Sequence, residues 1–163
     1  MEEIILDQEV KPVRYAGFWL RFVASLIDGI VLYIVQMIIT VPLMGIMGFT
    51  ALNAESMNEA QQMGAVGAII GIVLMTFLFS SIVQWLYYAL METYYGATLG
   101  KMALGLKVTD LEGNKISFLK ATGRYFGKIL SGMILLIGYI MAAFTEKKQA
   151  LHDIMAGCLI VKK

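Results

Sequence analysis

The sequence predicts an all-α integral membrane protein: two long transmembrane helices, a short broken or re-entrant third segment, an interfacial amphipathic helix and a small cytoplasmic β-hairpin or sheet. Three observations predict it. Of 163 residues, 59% are hydrophobic and only 15% are charged, with a mean hydropathy of +0.74, which is too apolar for a soluble domain of this size. Two stretches exceed the ~20 apolar residues that ~30 Å of hydrocarbon requires. Lysine and arginine are absent from the segment between those stretches and, Arg21 apart, collect outside them, the asymmetry that positive-inside bias gives a two-pass chain.

Each element follows in order along a single 163-residue domain. Residues 1–17 open with the acidic MEEIILDQEV, which lacks the basic start of a signal peptide, so the apolar run behind it is expected to stay as an anchor in the cell membrane. The first span covers 18–47, and Pro42 is expected to kink it or end it a turn early. The loop 48–63 carries Glu55 and Glu59 with no basic residue, which places it outside and the N-terminus in the cytoplasm. The second span covers 64–91. Gly64, Gly67 and Gly71, with Ala68, give its outer half a small-residue face that permits close helix approach.

The cytoplasmic segment 92–128 begins with Gly96-Ala-Thr-Leu-Gly100-Lys101. It is one residue short of a phosphate loop and lacks the following Ser or Thr, so it reads as a bend at the membrane exit. Residues 106–109 and 115–118 flank Glu112-Gly113-Asn114, a hairpin signal, and 158–161 reads as a third short strand. Ser117 can cap a helix on which Lys120, Arg124 and Lys128 recur at i+4. That helix is expected along the interface, its basic side chains toward anionic lipid headgroups. The apolar stretch 129–144 is marginal for a crossing and is interrupted by Gly132 and Gly138. Lys147, Lys148, Lys162 and Lys163 follow it in the segment 145–163, so a return to the cytoplasmic side through a re-entrant or broken helix is expected, with a short third crossing as the open alternative.

Two charged residues inside the first span need a reason, because an ionised side chain near the bilayer centre costs roughly 2.5–3.5 kcal/mol. Arg21 and Asp28 lie seven residues apart, on nearly the same helix face with Ser25 between them. In an antiparallel hairpin Arg21 and Glu92 lie at similar depth, and so do Asp28 and Gln84. Thr76, Ser80, Gln84 and Tyr87 fall within an arc of about 80° on the second helix, a polar stripe able to face Asp28. An intramembrane carboxylate is a functional-site hypothesis in its own right.

Three separated motifs, RFVASLID in the first span, GATLGKMALGLKVTDLEGNKISFLKATGR after the second and QALHDIMAGCLIV near the end, resemble the RDD family of small bacterial-type membrane proteins. The resemblance runs over 13–161. Carried over by motif, the family's arginine is Arg21 and its two aspartates are Asp28 and Asp153. Cys158 departs from the pattern, standing where threonine commonly follows the glycine. The resemblance implies transport of unidentified ligands, with cation/proton exchange proposed for some members and a role as an assembly part for others.

With Asp153 in hand, two readings stand. In one, Asp28 faces a crevice, titrates and exchanges a proton for a small monovalent cation, while Arg21 and Asp153 set its field. In the other, Arg21 reaches Asp153 and the charged groups form a buried clamp in a non-transporting membrane adaptor or assembly factor. His152 beside Asp153 is a weak relay candidate. Two and a half helices cannot enclose an aqueous path, so a transporter of this size is expected to be a homo-oligomer. A lone histidine and a lone cysteine cannot supply a zinc site. No nucleophile stands near a base, so neither an enzyme nor a cofactor is expected. The net charge of +1 gives no ground for a nucleic-acid partner.

Overall fold

Two helices dominate a computed structural model that describes residues 13–134 and 137–163: α1, Phe18–Leu52, and α2, Glu59–Tyr94. They contain 35 and 36 residues, so at 1.5 Å per residue each is more than 50 Å long, against ~30 Å of hydrocarbon. Both are long and apolar enough to cross a membrane, and both outrun their expected bounds. Pro42 lies inside α1 and neither ends it nor shortens it, because a missing N–H costs one ladder bond that the helix can lose mid-span. The connection shrinks to a short 3-10 turn at Ala54–Ser56. Asn58 then starts α2 with a reciprocal cap, accepting from Gln61 N at 2.9 Å while Gln61 Oε1 accepts from Asn58 N at 3.0 Å.

Beyond α2 the chain turns at Gly96, whose φ of +72° belongs to the left-handed region that glycine adopts without a Cβ clash. It forms the short helix α3, Leu99–Ala103, and the strand β1, Leu106–Asp110. The longer helix α4, Phe118–Met133, the bent-back helix α5, Ile137–Phe144, the short α6, Leu151–Met155, and the strand β2, Cys158–Lys162, complete the fold. β1 and β2 pair antiparallel, with Val108 opposite Ile160. Tyr15 bridges Val161, and Lys162 N donates to Arg14 O at 2.9 Å, which ties the chain just before α1 to the other edge of β2.

The expected hairpin does not form. Asp110 Oδ1 accepts from Glu112 N and Asn114 N, closing a side-chain-stabilised turn of the kind aspartate favours. Ser117 then accepts from Lys120 N, so the residues after the turn enter a helix instead of returning as a strand. The partner of β1 is β2. The boundary expected near residue 129 also falls elsewhere, since α4 runs unbroken to Met133 and the break lies between α4 and α5, whose axes differ by 102°. The third apolar stretch is therefore a broken helix, and its first half is continuous with the amphipathic one.

The core lies at this end of the molecule. Leu106 and Val108 of β1, Cys158 and Ile160 of β2, Ala24 of α1 and Ala89 of α2 are buried together. Along their middle α1 and α2 flank a groove of about 730 Å³ that reaches from Gly29 and Tyr88 to Met47 and Ile72. A Cβ added at Gly64, Gly67 or Gly71 would meet no described atom within 4 Å, so the small-residue face brings no helix close.

Candidate functional site

Three elements converge on Asp28. Its carboxylate is buried on α1 and accepts from Tyr87 Oη of α2 at 2.8 Å, from Thr98 Oγ1 at 2.5 Å and from Gly100 N in α3 at 2.8 Å. Tyr87 Oη also accepts from Leu99 N at 3.2 Å, so orphan donors at the start of α3 are met by groups from both long helices. The approach is close because position 100 is glycine. A Cβ there would sit 2.1 Å from Ala24 O and 3.1 Å from Asp28 Cγ.

Beside this latch lies a second set of buried charges. Asp153, on α6, forms ion pairs with Arg21 of α1 and with Arg124 of α4, the latter at 2.9 Å. Its carboxylate also accepts from Ala150 N, holding the first turn of α6. Glu92, near the end of α2, lies 2.5 Å from Lys101, 3.4 Å from Arg124 and 3.7 Å from Lys128. Arg124 thus bridges the two carboxylates. Burying an ion costs several kcal/mol unless partners compensate it. Here five helices, α1, α2, α3, α4 and α6, each contribute a compensating group.

Burial would raise the Asp153 carboxyl, but the guanidiniums of Arg124 and Arg21 outweigh it and hold the group well below the usual carboxylate range. Burial, aided by Arg124 and Lys128, pushes His152 down to about 3 despite Asp153 beside it, so the imidazole is neutral near neutral pH. His152 Nδ1 lies 3.4 Å from Ser131 Oγ, and its ring stands 5.1 Å from that of Tyr139. Burial also lowers the Lys101 amine, in spite of Glu92.

These groups surround a cavity of about 450 Å³ lined by Arg21, Ser25 and Asp28 of α1, Tyr88 of α2, Lys101 of α3, and Arg124 and Lys128 of α4, with apolar walls from Phe18, Phe22 and Ile140. Among the described residues no cluster of histidine, cysteine, aspartate or glutamate could hold a metal ion.

The arrangement departs from the expected one in three places. Arg124 is fully buried and Lys128 stacks over the Tyr88 ring at 4.0 Å while pairing with Glu92. The basic face of α4 therefore points into the protein, and only Lys120 remains exposed. An i+4 stripe has a face but no address, and the buried carboxylates supply one. The polar stripe of α2 does not meet Asp28 apart from Tyr87: Thr76 and Ser80 donate to their own helix backbone, and Gln84 is exposed in the outer groove. Glu92 pairs with α3 and α4 instead of with Arg21, and Ser25 is an exposed residue on the cavity rim that donates to Phe22 O.

The arginine at the start of the first span, the aspartate two turns deeper and the Leu-His-Asp segment are all in this constellation, and the sequence model of the RDD family matches residues 15–157. The chain belongs to the RDD family. It is 41% identical over 153 residues to the uncharacterized protein YxaI of Bacillus subtilis (strain 168), covering 91% of this chain and 97% of that one. It is 33% identical over 161 residues to the uncharacterized membrane protein YteJ of the same organism, covering 95% and 85%. The uncharacterized protein RP437 of Rickettsia prowazekii (strain Madrid E) is 29% identical over 114 residues, 70% of this chain and 64% of that one. No solved structure matches it.

In this RDD protein the residues that sequence reasoning missed are Thr98, Gly100 and Lys101. The segment Gly96–Lys101 reads as a bend, and the local signal that could have placed α3 is Thr98, a residue type favoured at helix N-caps. What no local pattern states is that α3 would dock on α1 and deliver a hydroxyl and an N–H to Asp28.

Proposed function

We propose that this RDD protein is a transporter in the cell membrane, working as a homo-oligomer, and that the cavity at the foot of the α1–α2 pair is its ligand chamber. The observation that carries the reading is the convergence of ionisable side chains on one cavity. A concave site with perturbed titratable groups is where function concentrates, and buried charge on this scale is costly to keep for packing alone. Positive-inside bias supports placing this end in the cytoplasm. Pairing of β2 with both β1 and the residues before α1 supports a re-entrant course for α4 and α5, because the chain on either side of them lies on one face. An oligomer follows from the lipid that would otherwise face one side of the path.

A second reading, exchange of a monovalent cation for a proton, is favoured by Asp28 being the carboxylate on the cavity wall. Flux in proteoliposomes tests both readings. An internal pH dye reports collapse of a pH gradient on adding Na+, K+ or Li+, and isotope uptake reports anions such as phosphate. A cation-dependent signal lost in folded Asp28→Asn would establish the exchange reading. An anion-dependent signal alone would establish transport and reject exchange. No signal from intact oligomers would sink transport and leave the adaptor, in which the charged groups only hold α3 and α6 in place.

A further inference from the structure

The cavity holds more positive charge than its own carboxylates neutralise. Arg21, Lys101, Arg124 and Lys128 line it, while the carboxylates in reach are Asp28 on its wall and Glu92 and Asp153 behind its cations. Four cations face three carboxylates, so although each cation has an ion-pair partner, the described residues leave one positive charge in excess. Asp28 pairs with none of the four, since its donors are two hydroxyls and a backbone N–H.

Hydrogen bonding is more lopsided still. The Arg124 side chain is fully buried, yet its Nε, Nη1 and Nη2 make no hydrogen bond among the described residues, and the same holds for Arg21 Nη2 and Asp153 Oδ1. The approaches of Arg124 to Glu92 and Asp153 are ion pairs out of line with the N–H directions. An unsatisfied buried donor costs roughly 1–3 kcal/mol, more when charged. The guanidinium fork matches the oxygens of a carboxylate or phosphate. Ser25 and Tyr139 also line the cavity, their hydroxyls donating to Phe22 O and Lys128 O.

We propose that the cavity binds a phosphate-type oxyanion, with Arg124 and Arg21 donating to its oxygens and Lys101 and Lys128 balancing its charge. The inference rests on the cavity being a ligand chamber, but not on translocation. Phe22 and Ile140 flank the cavity and are 44% and 43% exposed on helices that a bilayer would cover, so an acyl chain could trail from a bound headgroup. A lipid phosphate and free phosphate share this chemistry.

Full-length protein in phosphatidylcholine nanodiscs, titrated with phosphatidylglycerol or with inorganic phosphate at constant ionic strength, separates the sources by melting temperature and native mass spectrometry. Arg124→Ala would remove the cation that Glu92 and Asp153 share, and the lost stability would confound the binding readout, so Gly132→Leu is the informative variant. Gly132 lines the cavity and a Cβ there meets no described atom within 4 Å. Saturable stabilisation is expected, weakened at least about tenfold by Gly132→Leu, a loss of about 1.4 kcal/mol of affinity, and unchanged in exposed Lys120→Gln. Stabilisation by phosphatidylglycerol alone identifies a lipid headgroup, and competition by inorganic phosphate identifies a free oxyanion. Equal stabilisation by added phosphatidylcholine, no effect of either anion, or binding that Gly132→Leu leaves intact would overturn the proposal. Flux scored on the same preparations separates the two claims: transport without oxyanion binding rejects only this inference, and binding without flux rejects only transport.

Discussion

At the scale of single residues, this protein places its polar groups where one atom decides the outcome. Gly100 admits no side chain, so Gly100→Ala is expected to cost about 1–3 kcal/mol or prevent folding, by overpacking against Ala24 and Asp28, read as a lowered melting temperature in detergent. Thr98→Val removes a hydrogen bond to a carboxylate and should cost about 1.5–3 kcal/mol by the same measurement. Asp153→Asn removes the carboxylate that Arg21 and Arg124 share, leaving Arg21 unpaired, and is expected to cost about 3–5 kcal/mol. Arg21→Gln should cost less, because Arg124 still neutralises Asp153. Equal losses would show that the carboxylate is not shared. The pH dependence has a definite sign. His152 has a folded value of about 3 against an ordinary 6.5, so the unfolded chain takes up the proton first and stability falls as pH drops between those values, by up to about 1.4 kcal/mol per pH unit. His152→Gln should flatten that part of the curve. Asp153, held low, adds its loss only at more acid pH, below the ordinary carboxylate range.

At the scale of elements, α4 is where sequence and structure part most usefully. The spacing of Lys120, Arg124 and Lys128 establishes a common face, and the Ser117 cap establishes where the helix starts. Neither says whether that face meets headgroups or a buried carboxylate, because the answer depends on Glu92 and Asp153, respectively 32 residues before and 29 residues after Arg124 in the chain. The two long helices were legible because transmembrane length and apolarity are local properties. The Arg21–Asp153 pairing was open as one of two readings once the motifs were set side by side. The partner of β1 was not, since Glu112-Gly113-Asn114 is a turn signal whichever element follows it. Lys120→Gln is expected to change stability by no more than about 0.5 kcal/mol, whereas Lys128→Gln removes a cation stacked on Tyr88 and paired with Glu92 and should cost more. Thermal unfolding of the two variants side by side checks the orientation of α4. Equal and negligible effects would return its basic face to the membrane surface.

At the scale of the whole molecule, the strand contacts predict a topology that a labelling experiment can read. Tyr15, β1 and β2 are joined in one small sheet, so the segment before α1 and the C-terminus are expected on the same side of the bilayer. In a Cys158→Ala background, single cysteines at Val13 and Lys162 are expected to react with an impermeant reagent from one side, and one at Glu55 from the other. Labelling of positions 162 and 55 from the same side would contradict the re-entrant course of α4 and α5. The charged cavity, the chamber of the proposed transporter, lies at the sheet end of the molecule, and the α1–α2 groove runs along the two helices from beside it. The measurement that tests this most directly is solute flux in proteoliposomes of Gly132→Leu beside the wild-type chain, each first shown to be folded and in the same oligomeric state. The account predicts a solute-dependent signal in the wild type that disappears when bulk is added at the cavity wall. An equal signal in both, or none in the intact wild type, would contradict it.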